Sequence, residues 1–130
     1  TEFVPEISGL LATRRPRSAK EVPVFVAQVM TTSAEKVGEI EYETDRARFV
    51  GRGRSLRRPV SVSEGRPLSK RTGAVLEPTL CLRQKIRIAP GETAKLCFTT
   101  LVSNSREGAV ELAEKYHNAN AFERAATLVW

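Results

Sequence analysis

In Glu39–Glu43, Leu80–Ile88 and Ala94–Val102 the apolar residues recur mostly at every second position, and a helical period takes over only after Asn104. A period of two lines one face of a strand and a period of 3.6 lines one face of a helix, so this pattern predicts sheet first and helix last. Gly9 to Thr13 is a short apolar run, closed by Arg14-Arg15-Pro16-Arg17. Val22 to Met30 is β-branched and aromatic on both faces, with Val24 and Val26 on one and Phe25, Ala27 and Val29 on the other. That run predicts a strand covered on both sides. Glu39-Ile40-Glu41-Tyr42-Glu43 alternates, so Ile40 and Tyr42 are expected inward and the three glutamates on a solvated face.

Two further runs share the period. Leu80, Leu82, Ile86 and Ile88 fall on one face, and Ala94, Leu96, Phe98 and Val102 on one face of the next strand. Ala89-Pro90-Gly91-Glu92 between them predicts a hairpin turn. Between the sheet signals, Asp45 to Arg58 reads as a helical turn followed by a loop, and Pro59 to Gly73 as mostly irregular chain rich in Ser, Arg, Pro and Gly. Past Asn104, Ala109, Leu112, Ala113 and Tyr116 stand at i, i+3, i+4 and i+7, with Asn104 and Glu107, or Ser105 alone, as the expected cap. Phe122, Ala125, Ala126 and Val129 repeat the spacing behind Asn120 and Glu123. The expected architecture is mainly β: an antiparallel β-sandwich portion over residues 1–104, with two short C-terminal helices over 105–130.

At 130 residues, 41% of them hydrophobic, the chain is long enough for one domain with a real core. No apolar run approaches the roughly 20 residues that a membrane-spanning helix needs. The chain opens without Met on the apolar Phe3, Val4 and Ile7 and closes on Leu128-Val129-Trp130, so it is expected to be a piece of a larger protein. Cys81 and Cys97 lie in runs that read as neighbouring strands; two free thiols are expected, because the composition is not that of a disulfide scaffold. A net charge of +6 and a pI near 9.8 suit a domain that meets anions or packs on an acidic neighbour.

The chemistry-bearing residues are few. His117 is the one histidine, and a lone histidine at a helix end is more often a cap than a base. With two cysteines a hairpin apart, it supplies no zinc shell. Gly51-Arg52-Gly53 lacks the third glycine and the apolar helix of a phosphate loop. No catalytic, metal or cofactor site is expected. The strongest local feature is the arginine run Arg46, Arg48, Arg52, Arg54, Arg57 and Arg58 around Phe49, preceded by Glu43 and Asp45. A nucleic-acid groove wants several stacking aromatics and no acid alongside, so nucleic acid is not the expected partner. Guanidinium forks on carboxylates that fix an interdomain loop are the expected use, and the functional alternative to a solvated strand face sets Glu43 and Asp45 at the mouth of a loop, bridging Arg46 or Arg48. The alternative is a basic module that takes an anionic polymer through Arg46–Arg58.

The segment Glu43-Thr44-Asp45-Arg46-Ala47-Arg48-Phe49-Val50-Gly51-Arg52-Gly53-Arg54 resembles a signature of the glycoside hydrolase family 94 phosphorylases, in the form it takes in the phosphorylase-like region of cyclic β-1,2-glucan synthases. Leu11-Ala12-Thr13-Arg14-Arg15-Pro16-Arg17 is similar to a strand of that family. So is Thr72-Gly73-Ala74-Val75-Leu76-Glu77-Pro78 followed by Leu82-Arg83, and so are the Ala89-Pro90-Gly91 turn and the Ser105-Arg106-Glu107 helix start. The resemblance implies part of a β-supersandwich that precedes an (α/α)6 catalytic barrel. In that family the general-acid aspartate and the phosphate-binding residues lie in the barrel, so no catalytic residue carries over to this chain. The implied parent is a large bacterial inner-membrane glycosyltransferase making cyclic β-1,2-glucan from UDP-glucose, with this region on the cytoplasmic side, where it trims or sets glucan length. The implied partners are that barrel, a β-glucan and, through exposed strand edges, a second copy of the chain. The candidate substrate-binding residues are Glu43, Asp45, Arg46, Arg48, Phe49, Arg52 and Arg54.

Overall fold

A computed structural model describes residues 1–118 together with 120, 123, 124 and 127. The described residues form six strands: β1 (Glu2–Val4), β2 (Gly9–Thr13), β3 (Phe25–Thr32), β4 (Glu35–Asp45), β5 (Pro78–Arg87) and β6 (Leu96–Ser103). All pairings are antiparallel. One sheet has the order β1-β2-β3-β6, and β4 pairs with β5 in a second sheet. Two short helices, α1 (Arg46–Val50) and α2 (Val60–Ser63), follow β4, and α3 (Arg106–Tyr116) follows β6.

The four-stranded sheet is the middle layer, and each of its faces buries a different cluster. Leu11, Ala27 and Val29 meet Val4, Ile7 and the α3 residues Ala109 and Ala113 on one side. Leu10 and Met30 meet Leu82 of β5 on the other, with Phe3, Ile40, Tyr42 and Leu80 packed around them. Phe3 and Tyr42 stack with ring centroids 4.4 Å apart and planes 5° from parallel, which ties β1 to β4 across the sandwich. The close layering needs Gly9, where a Cβ would stand 2.7 Å from the Gln28 carbonyl oxygen and 2.8 Å from Val29. The two-faced burial expected of β3 is therefore found, but over Ala27 to Thr31. Val22 and Val24 are exposed and precede the strand, since Pro23 has no N–H to give to a ladder.

The expected hairpin is not formed. A turn does close at Ala89–Glu92, with the Glu92 N–H donating to the Ala89 carbonyl at 3.1 Å, but the chain then leaves one sheet for the other. β5 pairs with β4, setting Leu82 opposite Tyr42, and β6 pairs with β3, setting Phe98 opposite Met30. β5 thus covers one face of the four-stranded sheet while β6 extends that sheet beside β3, which a hairpin in one sheet would not achieve. Consequently Cys81 and Cys97 are not neighbours: they sit in different sheets, and both are free. Leu96, Phe98 and Val102 do share a face as expected, yet that face of the edge strand is 45–60% exposed, because the two-stranded sheet does not reach over it. Ala94 precedes the strand.

Helix α3 follows its pattern at Ala109 and Ala113, but Tyr116, expected on the same face, is exposed, and Val110 packs on the core instead. Ser105 is the cap, its hydroxyl accepting the Gly108 N–H at 3.0 Å, and Ala109 and Ala113 face the sheet. His117 ends the helix with Nε2 3.2 Å from the Met30 carbonyl oxygen, a structural tie to β3. The apolar residues Phe122, Ala125, Ala126 and Val129 of the second expected helix lie outside the described residues. Among those described, no helix is long and apolar enough to cross a membrane.

Candidate functional site

The seven candidate residues occupy the end of β4, helix α1 and the loop after it, and the structure divides them into three groups. Asp45 and Arg48 belong to the helix start: Asp45 Oδ1 accepts the Ala47 N–H at 2.8 Å as N-cap, while its Oδ2 lies 3.6 Å from Arg48 Nε. Arg46 turns away from both expected acids and donates to Glu77 at 2.9 Å, just before β5. Glu43 makes no arginine pair among the described residues either. Its Oε1 accepts the N–H groups of Thr44 and Asp45 at 3.0 and 3.1 Å, where the β4–β5 register shifts between Glu43 and Asp45.

Arg54 forms the second group. It reaches from the loop to α2, donating to Ser63 and to Glu64 at 2.7 Å each, and Glu64 also receives Arg66 at 2.9 Å. The turn that brings Arg54 there passes through Gly51 at φ +87°, with the Val60 side chain 2.9 Å from where a Cβ would stand. Only glycine fits that position without strain. Phe49 is half-buried on α1, which ends on the buried Val50. Arg52 is the third group, together with Arg57 and Arg58 beyond the candidates. All three are exposed, and none has a side-chain partner among the described residues.

The glutamates of β4 do not form the solvated face that their alternation predicts. Glu39 is open and pairs with Lys70 at 2.7 Å, but Glu41 is largely covered and Glu43 is only 3% exposed. The cover is residues 59–71, a strap that crosses the outer face of the two-stranded sheet. Arg83 of β5 holds it. Its Nε donates to Glu41 Oε2 at 2.9 Å and its Nη2 to the same oxygen, while Nη1 donates to the Ser61 carbonyl at 2.9 Å and Nη2 also to that of Arg66. The Leu68 N–H donates to Glu41 Oε2 as well, at 3.2 Å. Further along, the Lys70 N–H bonds the Tyr42 carbonyl at 3.0 Å, and the Thr44 hydroxyl donates to the Arg71 carbonyl at 3.0 Å.

These contacts set the local electrostatics. The Arg83 hydrogen bonds, then the Leu68 N–H, hold the Glu41 carboxyl below its ordinary range. Burial pushes the Cys81 thiol up, with Arg83 opposing and Glu43 adding to the shift, so this cysteine is not poised as a nucleophile. Beneath the strap a cavity of about 200 Å³ remains, lined by Glu43, Arg48, Ser61, Arg66, Ser69 and their neighbours. Sequence reasoning missed Glu41, Ser61, Arg66, Ser69 and Arg83. The placement of Glu41 and Glu43 on one strand face was legible, but the strap that covers them has no periodic signal.

Over residues 1–119 the chain matches the family described as glycosyl hydrolase 94, supersandwich domain. It is 30% identical, across all 130 of its residues, to the cyclic beta-(1,2)-glucan synthase NdvB of Rhizobium meliloti (strain 1021). It spans 5% of that protein's length.

Proposed function

The chain belongs to the glycosyl hydrolase 94 supersandwich family, and from that premise we propose that it is a non-catalytic, carbohydrate-associated scaffold domain of a protein resembling cyclic β-1,2-glucan synthase. The observation that carries this reading is the internal use of its charged groups. Arg46, Arg48, Arg54, Arg66 and Arg83 each pair with a carboxylate of the same chain, and the single histidine is tied to the Met30 carbonyl. Such pairs fix a loop rather than turn over a substrate. The same reading sets the domain beside an (α/α)6 catalytic barrel supplied by the rest of such a protein, on the cytoplasmic side of a bacterial inner membrane.

Carbohydrate contact on this domain is weak in this reading, because sugar-binding platforms use exposed aromatic rings and the chain is only 6% aromatic. Isothermal titration with linear and cyclic β-1,2-glucans, with cellobiose as control, tests it. Only weak binding, saturating no tighter than the millimolar range, is expected. Tight, saturable binding that depends on Arg46, Arg48 or Phe49 would instead make the chain a carbohydrate-binding module in its own right. A second reading rests on the unpaired Arg52, Arg57 and Arg58: a basic patch for an anionic polymer, whose affinity would fall steeply as salt rises.

A further inference from the structure

The cavity under the strap contains a group whose hydrogen-bonding capacity is half used. Glu43 is 3% exposed, and both of its protein hydrogen bonds go to Oε1. Oε2 accepts nothing from the described residues, yet no buried side-chain oxygen is left without a partner, so Oε2 must be open to solvent. Glu43 lines the cavity, which is therefore the outlet for that oxygen. Two backbone N–H groups use only part of what a carboxylate can accept, and the remaining capacity is presented to the cavity.

The other walls define what would complete it. Arg48 and Arg66 line the same space and are engaged with Asp45 and Glu64 through Nε, which leaves their Nη groups as donors. The Ser61 and Ser69 hydroxyls can donate or accept. Acid and base thus alternate around the cavity. An anion would face the Glu43 charge, and a cation would face two guanidiniums. Val60, Pro67 and Leu68 supply the rest of the lining, so a neutral molecule that donates, accepts and presents an apolar face matches the walls. The volume of about 200 Å³ is below the roughly 300–1,000 Å³ of pockets for drug-sized ligands, so it suits one ring rather than an oligosaccharide.

We propose that this cavity is a subsite for a single neutral polyhydroxylated unit, one sugar residue, with Glu43 Oε2 accepting from its hydroxyl groups and Arg48 and Arg66 donating to others. The strap clasped by Glu41 and Arg83 is the roof of the subsite, so the ion pair acts as a positioning device for Ser61, Arg66 and Ser69. The assignment rests on the carbohydrate part of the proposed function and gives it a location.

The test is an amide-resolved NMR titration of the whole chain with glucose, with the β-1,2-linked glucose disaccharide and, separately, with inorganic phosphate. Both sugars are expected to shift the amides of Glu43 to Asp45, Ser61 and Arg66 to Ser69, saturating in the millimolar range. Glu43→Gln keeps an acceptor for the two backbone N–H groups and removes the charge, and is expected to weaken sugar binding at least about tenfold. Ser69→Trp blocks the cavity without touching Glu43 and keeps the test valid if the Glu43 variant unfolds. Sugar-dependent shifts that lie elsewhere, or that survive both variants, would overturn the subsite while leaving the carbohydrate-associated reading intact. Absence of any shift would overturn the subsite and leave a pure scaffold. Phosphate producing the same shifts as sugar would overturn the neutral-ligand class.

Discussion

Replacing Arg83 by Met tests the clasp that holds the strap. The substitution keeps most of the aliphatic stem and removes a guanidinium that serves Glu41 and the Ser61 and Arg66 carbonyls. Glu41 would then keep only the Leu68 N–H at 3.2 Å. The two side chains are 32% and 24% exposed, so the pair lies between two regimes. Breaking a fully buried pair costs about 3–5 kcal/mol and an exposed one about 0.2–1 kcal/mol. A loss of about 2 kcal/mol is expected. At roughly 4 °C per kcal/mol for a chain this size, the melting temperature should fall by roughly 8 °C. Amides of residues 59–71 should exchange with solvent faster than those of β3, since the strap opens before the core. The pH dependence carries the same signature. Glu41 has its folded-state pKa lowered, so its contribution is present above the ordinary carboxylate pKa, near 4.3, and is lost as pH falls through the lower folded value. Glu41→Gln should remove that part of the acid sensitivity. A melting temperature within 2 °C of the parent chain for Arg83→Met, with unchanged exchange over the strap, would refute the clasp.

Gly51→Ala places a methyl group against Val60 at a backbone angle that L-residues rarely adopt, and should cost about 1–3 kcal/mol in denaturant unfolding. β6 has no charged residue and no proline to blunt its free edge, and its Leu96, Phe98 and Val102 side chains are open, so antiparallel self-pairing through this edge is expected. Light scattering behind size exclusion should show dimer for the chain and monomer for Phe98→Lys; a clean monomer at high concentration for both would sink the pairing.

The kind of most elements was legible in the sequence, though β1 and α2 were not. A two-faced apolar run marked β3, period two marked β4, β5 and β6, the helical period and Ser105 marked α3, and a helical turn was expected from Asp45, because such patterns are properties of a few adjacent residues. The family likeness was legible for the same reason, in contiguous motifs. Which strand pairs with which was not. Ala89–Glu92 closes a turn in either arrangement, and packing decides the rest: β6 extends the sheet beside β3, while β5 joins the sheet that covers the Leu10 and Met30 face. The burial of Glu43 was equally out of reach, since alternation fixes which face a side chain occupies and says nothing about what lies over that face. What lies there is an aperiodic strap, held by an arginine 42 residues from its carboxylate partner. Local pattern determined the pieces of this protein, and long-range packing and charge pairing decided which pieces meet and where a carboxylate is left facing a cavity.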